Sequence, residues 1–453
     1  MKNAQAESQM QEYEDWQAMR KRAYMYQQGQ TKDETDSYFS TKLMAKIATG
    51  SNNITKRITQ RISQVYQVAP DRFWPDQDNS DKLKTKAKSY QDVTGTKNAS
   101  LQRAEELTNL LKLIAIKVTT RQGRLEYDVI RDFIPLFEPG GDKLVPAGIM
   151  YPLARSANPN DTDAITWALW TKETYFKFVK GGDPIPDPDN PENKNKYGIV
   201  PVAWVFADGR PESSFTDIDP AMDIVETNLA INLALTELNA NIRFQSMGYG
   251  FLSGVNDTYE LTVSQDEWNT LPSGADAKFV TPPKTIDDIQ KAVRMLYLGI
   301  SLNYGLDSSF VEGTTQESGI SRKMRNLELM ENRVSSVTTW REAEHNLFTI
   351  EQAVAKADLK LEFPDGLSTD FKESEVILTE QEKRDKNQYE IDQGYTNPAA
   401  TLHESDKDGY PTEEKAKETI ITNLAITAEI KAAATVEKPD IFADALNETP
   451  PGT

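Results

Sequence analysis

The stretch from Thr216 to Tyr304 constrains this chain more than any other. It opens with Asp217-Ile218-Asp219-Pro220, where Asp219 suits a helix N-cap and Pro220 the first helical position. From Ala221 to Met247 no proline or glycine interrupts the run. Ile218, Met222, Val225 and Leu229 recur at helical spacing, and Ile224, Ile231, Leu235, Leu238 and Ile242 form a second stripe rotated from the first. A surface helix needs one apolar stripe. Two stripes predict a helix packed on two sides, by neighbours from the same chain or from copies of it.

A second helix is predicted from Thr285, with Asp288 completing a variant capping box and Gly305 closing the segment. Ile286, Ile289, Val293, Leu296 and Ile300 mark its apolar stripe. Between the two helices, residues 248–284 carry Gly248, Gly250, Gly254, Gly274, Pro272, Pro282 and Pro283. Glycine and proline at that density predict short strands, with one short helix around Trp268.

Composition narrows the function. Seventy acidic against 51 basic residues give a net charge of -19, which disfavours tight static binding of nucleic acid but not a surface along which it slides. The absence of cysteine excludes disulfides, thiolate nucleophiles and cysteine-based zinc sites, and two histidines, His345 and His403, are too few for a histidine-rich metal site. No apolar run approaches the roughly 20 residues needed to span a bilayer, and the first residues lack the apolar core of a secretory signal. A protein made in a cytoplasm and without a membrane partner is expected.

Residues 1 to 66 read as polar helices. The first has Tyr13, Trp16, Met19, Tyr24 and Tyr26 as apolar positions and ends at Gly29; the second is interrupted at Gly50. Lys42, Lys46, Lys56, Arg57 and Arg61 there form a basic patch that reads as a solvated helix face, with a nucleic-acid site as the alternative. A helix from Ala104 to Lys112 gives way to a β-rich region from 113 to 210, with Gly123 at a turn. Within it Ile165, Trp167 and Leu169 share one strand face, residues 180–198 form a turn-rich acidic loop without the spacing of a calcium motif, and Pro201 marks an edge strand or a strand start. A polar segment, 305–319, precedes a third long helix reaching Ala357, with Ile320, Met324, Leu327, Val334, Val337, Leu347, Ile350 and Val354 on its packed side. Leu359 to Gly366 reads as a returning strand added to the earlier sheet, followed by short polar helices with His403 in a loop.

No phosphate-binding loop, nucleophile elbow or zinc-protease motif occurs. His345 reads as structural, beside Glu342 and Glu344. Carboxylate pairs for glycoside hydrolysis arise by chance among 70 acids, and nothing singles one out. Arg322, Lys323 and Arg325 open the third long helix, where cations oppose the dipole. They read either as partners of acids such as Glu317 and Glu328 or as transient phosphate contacts.

The order of these elements resembles the portal protein of tailed bacteriophages, the head-to-tail connector family. The resemblance covers residues 113 to 360 and rests on the Tyr197-Gly198 to Pro201-Val202 strand, the helix–excursion–helix stretch, the polar loop and the Ser318-Gly319 start of the late helix. It implies an α+β, mainly α, elongated subunit that assembles into a ring, a dodecamer, at one capsid vertex, and a ring would bury both flanks of each stem helix. Residues 1–217 would hold the N-terminal helices and wing, 218–247 and 285–304 the stem helices, 248–284 the clip, 305–318 the tunnel loop, 319–372 the long helix and wing return, 373–434 the crown and 435–453 a mobile tail. Glu312, Thr314, Thr315, Gln316, Arg322, Lys323 and Arg325 would meet DNA in the channel, and Tyr249, Phe251, Trp268 and Lys278 would dock partners on the clip. Implied partners are copies of the chain, double-stranded DNA, the terminase large subunit, a neck or adaptor protein, the major capsid protein and scaffold. The resemblance implies a virion location, no cofactor and no catalysis. Another ring-forming connector or baseplate protein, and a carboxylate-based hydrolase, are the alternatives.

Overall fold

The computed structural model describes residues 13–75, 81–154, 165–179, 183–247, 249–253, 276–280, 286–306, 327–372, 380–392, 395–406 and 409–436. They form a mixed α+β fold in two units, one reaching residue 372 and one from 380 to 436.

The first unit begins with helices α1 (Glu14–Gln27), α2 (Lys32–Ser37), α3 (Thr41–Met44) and α4 (Ile54–Ile62), then strand β1 (Asp71–Phe73) and helices α5 (Asp81–Val93) and α6 (Lys97–Leu111). Strands β2 (Leu113–Arg121), β3 (Arg124–Ile130), β4 (Ile134–Leu136), β5 (Gly148–Ala154), β6 (Thr166–Thr171), β7 (Tyr175–Val179), β8 (Pro184–Ile185) and β9 (Val202–Phe206) follow. Helix α7 (Met222–Met247), strands β10 (Tyr249–Ser253) and β11 (Asp276–Val280), helices α8 (Ile286–Asn303) and α9 (Leu327–Val354), and strand β12 (Ser368–Asp370) complete it. The second unit holds α10 (Glu380–Asp392), α11 (Pro398–Ser405) and α12 (Glu413–Val436).

The β-rich region divides into an antiparallel sheet of order β3-β2-β9 and an antiparallel meander of order β4-β5-β6-β7-β8. The β2–β3 turn needs positive φ at both central positions, Gln122 (50°) and Gly123 (76°), as tight hairpins do. β9 is an edge strand that opens just after Pro201, as its proline predicts.

Alternation along β2 explains the architecture. Ile114, Ile116 and Val118 enter a core shared with α4, α6, α7 and α9, while Leu113 and Ala115 enter a second core shared with β4, β5, β6 and Phe215. A pleated strand sends successive side chains to opposite faces, so a sheet apolar on both faces is covered on both. Arg20 fastens α1 across the junction, donating to the carbonyls of Leu111, Leu113 and Arg131 at 3.0, 2.7 and 2.7 Å.

Several expectations are corrected. α7 begins at Met222 rather than Pro220, because the Ala221 amide donates to the Leu110 carbonyl at 2.8 Å and so fixes a non-helical entry. α6 starts at Lys97, a full two turns before Ala104. Around Gly50 the break is longer than expected: residues 48–53, between α3 and α4, are non-helical and lie along α7. The acidic loop contributes β8 to the meander, and its Asn195 is buried, donating to the carbonyls of Thr171 and Ile199 at 2.8 and 2.7 Å. Residues 359–366 do not join the earlier sheet: α9 runs on into a π-turn, Ala355–Leu359, and the strand that follows, β12, pairs with β1. His403 lies on α11, not in a loop.

The packed side of α9 is also corrected. Leu347, Ile350 and Val354 are buried as expected, but Leu327 and Val334 are exposed. The face instead runs through Leu329, Arg333, Trp340, Ala343, Glu344, Phe348 and Glu351. Three of these are charged, so apolar periodicity marks the face only in part: Val337, Leu347, Ile350 and Val354 lie on it, Leu327 and Val334 do not.

Candidate functional site

α7 and α8 form an antiparallel pair: the Tyr304 hydroxyl, at the end of α8, donates to Asp223 Oδ1, at the start of α7, at 2.8 Å. α8 turns Val293, Leu296, Tyr297 and Ile300 inward, as its stripe predicts. Its other face carries Met295, Leu298 and Leu302, which are 72%, 38% and 60% exposed. Spacings of three and four residues keep these three on one stripe. α8 is therefore apolar on two faces, of which the described residues cover one.

α7 behaves differently. Ile224, Val225, Leu229 and Ile231 are buried within the chain, on both flanks, against α1, α4 and α8. Between them Asn228, Asn232 and Thr236 are buried too, bonded to the extended segment before α4. The expectation that copies in a ring must cover both flanks of this helix is thus corrected for its first four turns. Asp223, Glu226 and Glu237 are exposed polar positions, and the first exposed apolar side chain of the helix is Ile242, next to exposed Arg243.

β10 continues α7 and β11 precedes α8, so the pair is joined through a two-stranded antiparallel ribbon. Phe251 lies opposite Lys278 in its register and Tyr249 opposite Val280. Of the predicted docking residues the ribbon thus brings Tyr249, Phe251 and Lys278 together, while Trp268 lies outside the described residues. Glu312, Thr314, Thr315, Gln316, Arg322, Lys323 and Arg325 lie outside them as well.

The most polar buried constellation is one that the sequence did not announce. Lys97 Nζ sits 2.8 Å from Glu344 and 2.7 Å from Glu351, and Arg72 Nη2 lies 2.5 Å from Glu344. The hydroxyl of Tyr66 donates to Glu344 at 3.0 Å, and those of Tyr90 and Tyr127 donate to Glu351 at 2.7 and 2.8 Å. Burial by itself would push the Glu344 carboxyl up, but Lys97 and Arg72 overcome it and hold it down to about 2. Burial raises all three phenols. Two cations face two carboxylates, every carboxylate oxygen has a donor, and the cluster is closed to solvent: it ties α9 to α5, α6 and β1. The only sequence signal was Glu344 and Glu351 at heptad spacing, indistinguishable from a solvated pair.

Glu105 is buried apart from this cluster. It accepts the amides of Val65 and Tyr66 at 2.8 and 3.0 Å. Burial outweighs these bonds and pushes its carboxyl up to about 7. Among the described residues no group of three or more His, Asp or Glu side chains is gathered to hold a metal ion, and no helix is long and apolar enough to cross a membrane.

No protein-family model and no curated protein matches this chain. Among solved structures it is similar to a chain in the neck of an empty gene transfer agent particle computed with C6 symmetry, at 11% identity and a TM-score of 0.38, covering 78% of this chain and 88% of that one. It is also similar to a chain in the virion of a native gene transfer agent particle, at 12% identity and a TM-score of 0.33, covering 78% and 88%.

Proposed function

We propose that this chain is the subunit of a phage portal: a ring, a dodecamer, at one capsid vertex, through which double-stranded DNA enters and leaves. The observation that carries the reading is the outer face of α8, with Met295, Leu298 and Leu302 exposed at helical spacing beside a partner helix that is already satisfied. In a ring of copies that face meets the next subunit, and burying three such side chains contributes roughly 1.5–3 kcal/mol each. The reading rests on this geometry rather than on the distant structural likenesses.

In this reading α7 and α8 are the stem. The β10–β11 ribbon, with Tyr249, Phe251 and Lys278, belongs to the clip where the terminase and then a neck protein dock. The segment 305–318 and the cations Arg322, Lys323 and Arg325 approach DNA. The major capsid protein and scaffold meet the wing. The chain has no chemistry of its own; ATP hydrolysis belongs to the terminase. A net charge of -19 suits a conduit, because a backbone held by many cations would not slide.

Electron microscopy of the purified protein tests the proposal. The expected image is a ring with a central hole and outward wings, and Met295→Glu combined with Leu302→Glu should give folded single subunits. A wild-type chain that stays monomeric at every concentration, or a ring that survives both glutamates, overturns it. In particles, labelling at one vertex only separates a portal from a baseplate ring.

A further inference from the structure

The extended segment before α4 and the polar stripe of α7 meet in register. Asn228, Asn232, Thr236 and Asn239 lie along one side of α7 at spacings of four, four and three. Asn239 Nδ2 donates to the Ala48 carbonyl at 3.0 Å, and Thr236 Oγ1 accepts the Gly50 amide at 2.9 Å. Asn232 Oδ1 accepts the Asn52 amide at 2.8 Å while its Nδ2 donates to Thr31 Oγ1 at 3.1 Å. Asn228 Nδ2 donates to the Asn52 carbonyl at 2.7 Å, and its Oδ1 accepts the Thr55 hydroxyl and amide at 2.9 and 3.2 Å. The helix thus reads backbone, one rung per turn, as an edge strand would.

Seating is tight at one point. A Cβ on Gly50 would lie 2.4 Å from Leu235 Cβ and 2.6 Å from the backbone of Leu235 and Thr236. Elsewhere the segment is shallow: from Lys46 to Asn53 only Gly50 is buried, and the apolar anchor, Ile54, comes after it. The contact is therefore made of hydrogen bonds that water can replace. Release would leave the asparagines solvated, not stranded, so the cost of opening is small compared with unfolding the core. The last rung, Asn239, lies just before the point where α7 emerges with Ile242 and Arg243 exposed.

We propose that residues 46–53 are a strap that opens as a unit while the core stays folded, and that its closure fixes the later turns of α7, from Thr236 onward, to the body. The inference is independent of the portal reading. Hydrogen exchange of the full chain tests it. The Gly50 and Asn52 amides are expected to exchange through an opening that does not depend on denaturant, faster than those of β2. Thr236→Val, which keeps the side-chain volume and removes the hydroxyl, should accelerate exchange at Gly50 tenfold or more and loosen residues 236–247, with β2 unchanged. Gly50→Ala, which leaves every residue of α7 in place, should give the same local pattern. The chain has no cysteine, so a disulfide between Ala48→Cys and Asn239→Cys is unambiguous, and on oxidation it should slow exchange in residues 240–247. Strap and β2 exchanging together through global unfolding, or either variant accelerating both alike, overturns the proposal, as does an oxidised staple without effect.

Discussion

Two buried carboxylates give this protein opposite responses to acid. Glu105 is held at about 7, above its ordinary 4.5, so between those values the folded chain keeps a proton that the unfolded chain releases. Stability from this group is greatest below pH 4.5 and falls by about 3 kcal/mol as pH rises to 7. Glu344, held down to about 2, works the other way: its contribution is complete above 4.5 and is lost as pH falls through 2. Glu105→Gln is expected to flatten the slope of urea-measured stability on the neutral side and leave the acid limb unchanged. Lys97→Met should cost about 3–5 kcal/mol in the same measurement, because it strands Glu351 and half of Glu344 in the core. Neither carboxylate was legible in the sequence. An apolar stripe can be counted along a helix, but a buried charge shows itself only through its partners, which for Glu344 are Arg72 and Lys97, more than two hundred residues away, and for Glu105 are the backbone amides of Val65 and Tyr66.

Elements were more legible than residues where their determinants are local. The β2–β3 hairpin follows from its glycine: Gly123 at φ 76° predicts that Gly123→Ala costs about 1–2 kcal/mol, with the register of β3 retained, which chemical denaturation and backbone shifts can check. The inward stripe of α8 and the edge position of β9 were likewise readable, from period and from proline. The packed face of α9 was not, since Arg333 sits on it, donating to the carbonyls of Gln64 and Lys372. The strap was missed for a related reason. Asn228, Asn232 and Thr236 look like the solvent side of a helix until a segment that needs amide acceptors is laid on them. β12 was misplaced because its partner, β1, lies about three hundred positions earlier, and three-residue strands carry almost no pattern of their own.

At the scale of the molecule, the second unit poses the same question as α8. On α12 Ile421, Leu424 and Ile426 are exposed and point to different sides, more apolar surface than a solvated helix needs. Two packing units predict two calorimetric transitions for the isolated chain, the one from residues 380–436 coming first. If the portal reading holds, that first transition should rise on assembly, because neighbours would enclose α12; a single transition unchanged by oligomerisation would argue against it. The α+β class and the order of long helices could be read from the chain itself, whereas what each helix touches could not. β2 furnishes side chains to two interiors at once, so a change of volume at Ile116 is answered on one side and a change at Ala115 on the other. Sequence drift at 113–118 should therefore be slow and paired, with the large–small rhythm of that strand outlasting nearly every other trace of common descent.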